Sequence, residues 1–302
     1  MNKSAHLRRQ IKWGLSLICI SAISTFVITT PLAPDKTIPL PTVKAAFTQT
    51  PPVPYTQTKT PPVLSAEAAY VVDVDSGVVL LAKNPNKRLK PASLTKVMTA
   101  LVSMDYYNEG QILKVKNGYK ALGAKADLRA NDEFTAEELL YALLVPSGND
   151  AAVTLAENYP GGYSNFVSHM NEKATFLKLT NSHFSSVSGV DISNHYTSAY
   201  DIGQVALEAL KRPVFRRIVS TKKITLKSEK GNIYPLFTTN QLLGEPGIEG
   251  VKTGWTPAAG ECLITLADRY NHPILISVLG SRDRFGETEK ILDWVYENYI
   301  WQ

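Results

Sequence analysis

The sequence predicts an α+β fold: one antiparallel sheet built from both ends of the chain, with a helical lobe inserted between them. Three observations predict it. Strand-like apolar runs at 69–73 and 78–82 are joined by Asp75-Ser76-Gly77, which reads as a hairpin turn. From Ser93 to Leu210 the apolar residues instead recur at helical spacing. From Ile248 onward strand patterning returns in the segment around Lys252 and at 261–267 and 274–279, and an amphipathic helix over 287–299 closes the chain. Strands at the two ends must meet to cover their apolar faces, leaving a cleft between sheet and helices.

Each element has a local cause. A helix starting near Ser93 carries Val97, Met98, Leu101 and Val102 on one face. Thr135-Ala136-Glu137-Glu138 has the capping-box pattern, in which the first hydroxyl and the fourth carboxylate satisfy each other's backbone N–H groups. It opens a helix with Leu139, Leu140, Leu143 and Leu144. Ser198-Ala199-Tyr200-Asp201 repeats the device ahead of Ile202, Val205, Ala206 and Leu210. Helical spacing also marks 149–158 and 163–177.

Composition bounds the function. The 302 residues are 44% hydrophobic and 20% charged, ordinary for a globular chain. The net charge is +5, but Lys3, Arg8, Arg9 and Lys12 sit among the first twelve residues with no acid beside them. Removing those four leaves +1 for the other 290 residues, so no nucleic-acid partner is expected. The basic end precedes an apolar run over 13–30, the pattern of an export signal or N-terminal membrane anchor. Val43-Lys44-Ala45 offers a small-residue cleavage site far beyond the run, so cleaved and retained forms both stand. Either way the remainder of the chain is expected outside the cytoplasm.

Residues 31–65 hold nine of the 18 prolines and a near-repeat, Thr48-Gln49-Thr50-Pro51-Pro52-Val53 against Thr58-Lys59-Thr60-Pro61-Pro62-Val63. This composition predicts a semi-rigid polyproline linker. The expected organisation is therefore 1–30 signal or anchor, 31–65 linker and 66–302 one catalytic domain, with a helical lobe over roughly 95–235. Cys19 and Cys262 predict no disulfide, and Cys262 reads as a small buried hydrophobe.

Three short signals carry the chemistry. In Ser93-Leu94-Thr95-Lys96, positions i and i+3 of a helix bring a hydroxyl and an amine onto one face. The amine can act as a base only if its pKa falls through desolvation or a neighbouring cation. Ser147-Gly148-Asn149 lies in a turn between two helices, able to relay a proton and to hold a carbonyl. Lys252-Thr253-Gly254, followed by Trp255, lies on a late strand; its lysine and hydroxyl suit a carboxylate, and its glycine permits close approach. Alone, each has an ordinary reading: a capped helix, a capped turn, a strand bulge. Ser220-Thr221-Lys222-Lys223 even repeats the first pattern as a decoy. The ordered set, with intervals of 54 and 105 residues, is what specifies a serine acyl-transfer site that works without histidine.

The chain resembles the serine D-Ala-D-Ala carboxypeptidases, low-molecular-mass penicillin-binding proteins of the penicillin-recognising superfamily. The resemblance spans residues 66–301 and runs through the blocks at 91–100, 144–152, 195–201, 250–256 and 292–294. It implies a β-lactamase/transpeptidase-like fold and a D,D-carboxypeptidase acting on peptidoglycan stem peptides, with β-lactams as covalent inhibitors and no metal or cofactor. It further implies Ser93 as nucleophile, Lys96 as its base, and Ser147 and Lys252 in proton transfer. Asn149 would orient the peptide, Lys252 and Thr253 would hold its carboxylate, and the N–H groups of Ser93 and Trp255 would form an oxyanion hole. Arg284 resembles an arginine that assists carboxylate binding, with Arg282 as a rival, and His195 is expected to make a structural hydrogen bond. Many relatives carry a second, β-rich C-terminal domain with a membrane-binding helix. None is expected here, so attachment would fall to the N-terminal segment.

Rival readings leave marks that this sequence lacks. Class A-like β-lactamases deacylate with a glutamate in a Glu-x-x-Leu-Asn loop. Here the corresponding stretch is Leu179-Thr180-Asn181-Ser182-His183-Phe184, and Glu172 is followed by Lys173-Ala174-Thr175. The five histidines, His6, His169, His183, His195 and His272, show no zinc spacing, and no G-x-S-x-G elbow is present. A β-lactam-sensing domain that acylates without turnover stays open, as does endopeptidase action on cross-linked peptides.

Overall fold

The computed structural model describes residues 52–56, 60–116 and 123–302. The expected signal or anchor and most of the proline-rich stretch lie outside the described residues. Among the described residues, no helix is long and apolar enough to cross a membrane.

The chain begins with β1 (Pro54–Thr56), β2 (Ala68–Asp73) and β3 (Val79–Lys83). A 3-10 turn at Ala92–Leu94 leads into α1 (Thr95–Tyr106). The lobe continues through β4 (Ile112–Lys114), β5 (Glu133–Thr135), α2 (Ala136–Leu144), α3 (Asn149–Asn158), α4 (Gly162–Phe176), α5 (Ala199–Leu210), α6 (Pro213–Val219), β6 (Lys223–Lys227) and β7 (Ile233–Phe237). It ends with β8 (Ile248–Thr256), β9 (Gly260–Arg269), β10 (His272–Ser281), α7 (Arg284–Asn298) and β11 (Tyr299–Trp301).

The central sheet has five strands in the order β3-β2-β10-β9-β8, every neighbour antiparallel. Both chain ends build it, as the α+β reading requires. Its faces follow the twofold periodicity of a strand. Tyr70, Val72, Ile264, Leu266 and Leu275 face the helical lobe. Val71, Leu263, Ile274, Ile276 and Val278 face the other way and are covered by Ile291, Leu292 and Val295 of α7. Burial on both faces explains why these strands read as continuous apolar runs rather than alternating ones.

Helix α1 is the axis of the lobe, buried on every side from Thr95 through Ser103. The capping box at α2 is formed: the Glu138 N–H donates to Thr135 Oγ1 at 3.1 Å, and the Thr135 N–H donates to Glu138 Oε2 at 2.8 Å. Ser198 Oγ caps α5 by accepting from the Asp201 N–H at 3.1 Å. Buried Ser277 of β10 donates to the Ala199 carbonyl at 2.7 Å, so the start of α5 is fastened to the sheet.

Three features differ from the sequence expectation. The antiparallel pair β4–β5 and the hairpin β6–β7 lie in the lobe expected to be helical. Helix α7 starts at Arg284, because Asp283 Oδ1 accepts from the Gly286 N–H at 2.9 Å as its N-cap. Pro54–Thr56, within the expected linker, is a strand paired with Tyr299–Trp301. At the other end of α7, buried Glu287 accepts from the N–H groups of Ser65 and Ala66 and from Ser281 Oγ, closing residues 65–66 against the helix.

Candidate active site

The 3-10 turn, the α2–α3 turn and β8 converge on one cavity of about 600 Å³. Ser93, Ser147, Asn149, Thr253, Gly254, Trp255 and Arg284 all line it. Of the residues expected at the site, only Lys96 and Lys252 are not on the wall, being fully buried behind it.

Ser93 sits in the tight turn just before α1, following Ala92, whose φ of 46° is in the left-handed region. A chain of hydrogen bonds ending on Thr95, together with Gly189, holds Ala92 in that conformation. The Ser185 N–H donates to His195 Nδ1 at 3.0 Å. That fixes the imidazole proton on Nε2, 2.9 Å from Thr95 Oγ1, which in turn donates to the Ala92 carbonyl at 2.8 Å. Burial pushes the His195 pKa down to about 4, with Lys90 adding to the shift, so the ring is neutral and the chain of donors keeps one direction. Gly189 lies against the same carbonyl, with a φ of +87°; a Cβ there would fall 1.7 Å from the Ala92 oxygen.

Lys96 Nζ donates to Ser93 Oγ at 2.9 Å and to the Ser188 carbonyl at 2.9 Å. Its pKa lies well below the ordinary lysine value, chiefly through burial and further through Lys252, with Asp150 opposing. A neutral amine beside a serine hydroxyl is what proton abstraction from that hydroxyl requires. Lys252 Nζ donates to the Thr253 carbonyl at 2.9 Å, and burial together with Arg284 pushes its pKa down to about 7.

Ser147 occupies the α2–α3 turn with a φ of 66°. Its Oγ is buried and has no hydrogen-bond partner among the described residues. The turn is set by two contacts: the Gly148 N–H donates to the Ala142 carbonyl at 3.0 Å, and the Asn149 N–H donates to the Ala124 carbonyl at 2.9 Å. A Cβ on Gly148 would fall 2.5 Å from the Ala142 oxygen, so only glycine permits this turn.

On β8, Thr253 Oγ1 is 2.5 Å from Thr239 Oγ1. A Cβ on Gly254 would lie 3.1 Å from the Ser93 nitrogen, so glycine brings the strand against the serine turn. Trp255 is exposed at the mouth. Arg284 donates through Nη1 to the Gly254 carbonyl at 2.9 Å and stacks over the Phe285 ring at 4.7 Å. Arg282 is exposed and off the wall, its N–H donating to Ser65 Oγ at 3.0 Å.

The decoy is elsewhere. Ser220 caps the C-terminus of α6, donating to the Arg217 carbonyl at 3.1 Å, and is exposed. Glu172 is an exposed residue of α4, 3.6 Å from His169, and is not on the cavity wall.

Several residues of the site were not found by sequence reasoning. Asp150 accepts from the N–H groups of Ala126 and Leu128 at 3.0 and 2.9 Å, tying down one wall. Ser188 supplies the carbonyl for Lys96; the small polar run Ser185-Ser186-Val187-Ser188-Gly189 signalled a turn but not its partner. Thr239 and Asp191, also on the wall, carried no sequence signal.

The chain is similar to known proteins in both sequence and structure. The family described as D-alanyl-D-alanine carboxypeptidase matches residues 55–283. The D-alanyl-D-alanine carboxypeptidase DacF of Bacillus subtilis is 36% identical over 244 residues, which is 78% of this chain and 63% of that one. The chain thus spans less than two thirds of that relative's length. Among solved structures, the Streptomyces K15 DD-transpeptidase superposes with a TM-score of 0.75 at 31% identity, covering 79% of this chain and all of that one. Penicillin-binding protein D2 of Listeria monocytogenes, in an ampicillin-bound form, superposes with a TM-score of 0.68 at 28% identity, covering 78% of this chain and all of that one.

Proposed function

We propose, because this chain belongs to the D-alanyl-D-alanine carboxypeptidase family, that it is a serine D,D-carboxypeptidase removing the terminal D-alanine of peptidoglycan stem pentapeptides. The observation that carries this reading is the buried Lys96 amine, 2.9 Å from Ser93 Oγ and depressed in pKa.

Neutral Lys96 takes the Ser93 proton as Oγ attacks the penultimate D-alanine carbonyl. The N–H groups of Ser93 and Trp255 stabilise the resulting oxyanion, each such donor contributing roughly 3–4 kcal/mol in enzymes of this kind. The proton reaches the departing amine through Ser147 and Lys252; the C–N bond breaks and D-alanine leaves. Water then attacks the Ser93 ester, gives a proton back along the same groups, and releases the shortened peptide. Asn149 orients the peptide, while Lys252, Thr253 and Arg284 bind its terminal carboxylate. Arg284, rather than Arg282, is favoured for this by its position on the wall. A β-lactam acylates the same serine, but its leaving group stays attached.

Residues 66–302 are the catalytic domain in this reading, working outside the cytoplasm. The basic and apolar residues 1–30 serve as signal or anchor, and the proline-rich residues 31–65, apart from the strand at Pro54–Thr56, as a linker.

The test is a peptide ending in D-Ala-D-Ala, with D-alanine release and fluorescent-penicillin labelling measured together. Ser93→Ala abolishes both and Ser220→Ala neither. Labelling without D-alanine release assigns the protein to β-lactam sensing instead, and penicillin turnover faster than slow acyl-enzyme hydrolysis makes it a β-lactamase.

A further inference from the structure

The cavity is electrically lopsided. Lys252, Thr253 and the Gly254 carbonyl that Arg284 holds lie midway along β8. At its C-terminal end, beside Thr256, stands Asp191, the one carboxylate among the residues lining the cavity. It comes from the loop that follows Gly189 and is fastened to the end of β8: Thr256 Oγ1 donates to Asp191 Oδ1 at 2.9 Å. The Thr256 hydroxyl is itself fixed by accepting from the Ala259 N–H at 3.0 Å. The carboxylate is therefore held in place before any ligand arrives, and among the described residues it forms no ion pair. A chain segment whose anion is held at Thr253 and which runs antiparallel to β8 has its upstream residues beside Thr256. Three strand steps separate those positions, roughly 10 Å at about 3.3 Å per residue. That is the reach from a terminal carboxylate, across the last two residues, to the side chain of the residue before them.

Resting on the carboxypeptidase reading, we propose that Asp191 is a specificity-determining residue. It binds the free side-chain ammonium of a diamino acid preceding D-Ala-D-Ala, so the enzyme selects stem peptides whose third-position amine is not yet acylated. The binding is an ion pair fixed by Thr256, and no bond is made or broken. Val190 and Trp255, both partly exposed at the mouth, supply apolar surface for the methylene stem of such a side chain.

The test compares Nα-acetyl-L-Lys-D-Ala-D-Ala, which carries a free ε-amine, with Nα,Nε-diacetyl-L-Lys-D-Ala-D-Ala, which does not. The native enzyme cleaves the free-amine peptide with a kcat/KM about fivefold or more higher, the scale of a partly exposed ion pair. Asp191→Asn removes that preference by raising KM for the free-amine peptide, and leaves the diacetyl peptide unchanged. Thr256→Val keeps the carboxylate but frees it, and lowers the preference part way. Equal kcat/KM for both peptides in the native enzyme, or an Asp191→Asn variant that slows both alike, overturns the proposal. Failure to cleave either peptide instead refutes the carboxypeptidase reading itself, so the two failures are distinct.

Discussion

Gly254 and Ser93 touch across the floor of the cavity: a Cβ at position 254 would lie 3.1 Å from the Ser93 nitrogen, 3.2 Å from Ala92 Cβ and 3.2 Å from the Pro91 oxygen. Two of those three atoms are backbone, so β8 and the serine turn are spaced by the absence of one methyl group. The contact places the N–H of the proposed nucleophile beside the strand that carries Thr253 and Trp255.

Gly254→Ala therefore pushes the turn and the strand apart by a few tenths of an ångström. Such a shift at a site built for one geometry lowers the rate of penicillin acylation by about tenfold, on the scale of catalytic misplacement. The fold tolerates the methyl, so urea unfolding changes far less than labelling. A Gly254→Ala enzyme that acylates at the native rate contradicts this spacing role.

The sheet and the three motifs were legible because their causes are local. Val71, Leu263 and Ile276 had to be buried wherever they went, and Ser93 and Lys96 are neighbours through helix geometry alone. What holds Lys96 was not legible. The Ser188 carbonyl lies 92 positions away in sequence and is a backbone atom, for which no residue type is diagnostic. The β6–β7 hairpin escaped for a related reason. Its strands are only five residues each, and β7 is apolar throughout with Pro235 inside it, a residue that argues against a strand. Asp150 was hidden inside a recognisable block, since only the fold brings Ala126 and Leu128 to its carboxylate.

That carboxylate yields a second expectation. Asp150→Asn exchanges one acceptor oxygen for an NH₂ that faces a backbone N–H, and an unsatisfied buried group costs about 1–3 kcal/mol. The wall carrying Ala124 loosens, and with it the contact from Ala124 to Asn149. Guanidinium unfolding is expected to show the stability loss, while KM for a D-Ala-D-Ala peptide rises more than kcat falls.

His195 makes the protein sensitive to acid. Its folded-state pKa is about 4 against an ordinary value of 6.5, because burial disfavours the imidazolium. The unfolded chain takes up this proton first, so stability from this group is complete above pH 6.5 and drains away as pH falls toward 4. The full effect is up to about 3 kcal/mol, at 1.36 kcal/mol per pKa unit. His195→Gln keeps a donor and an acceptor but does not titrate. The native-minus-variant difference in unfolding free energy then narrows from pH 6.5 to pH 4; a difference that stays constant over this range rules out a neutral buried histidine.

In the proposed mechanism Lys252 sets catalysis against stability. Its pKa in the fold is about 7 against 10.5 in the open chain, through burial first and Arg284 second. Between those values the unfolded chain holds the extra proton, so stability rises with pH from 7 upward, and the penalty is complete below 7. Replacing the buried cation with an apolar side chain of similar length removes that penalty. Lys252→Met is expected to be about 1–4 kcal/mol more stable than the native protein at pH 6, on the scale seen when buried charges give way to apolar groups. Its advantage shrinks by up to about 1.4 kcal/mol per pH unit above 7. The same substitution removes a cation that depresses Lys96. The rising limb of the acylation-rate profile, which reports a neutral Lys96, consequently moves to higher pH in Lys252→Met as its maximum falls. Urea unfolding at pH 6 and pH 9, set beside penicillin-labelling rates over the same range, reads both effects in one pair of proteins. A variant less stable than the native protein at pH 6, with an unmoved acylation limb, means that the two lysines do not share a site in the way their burial indicates.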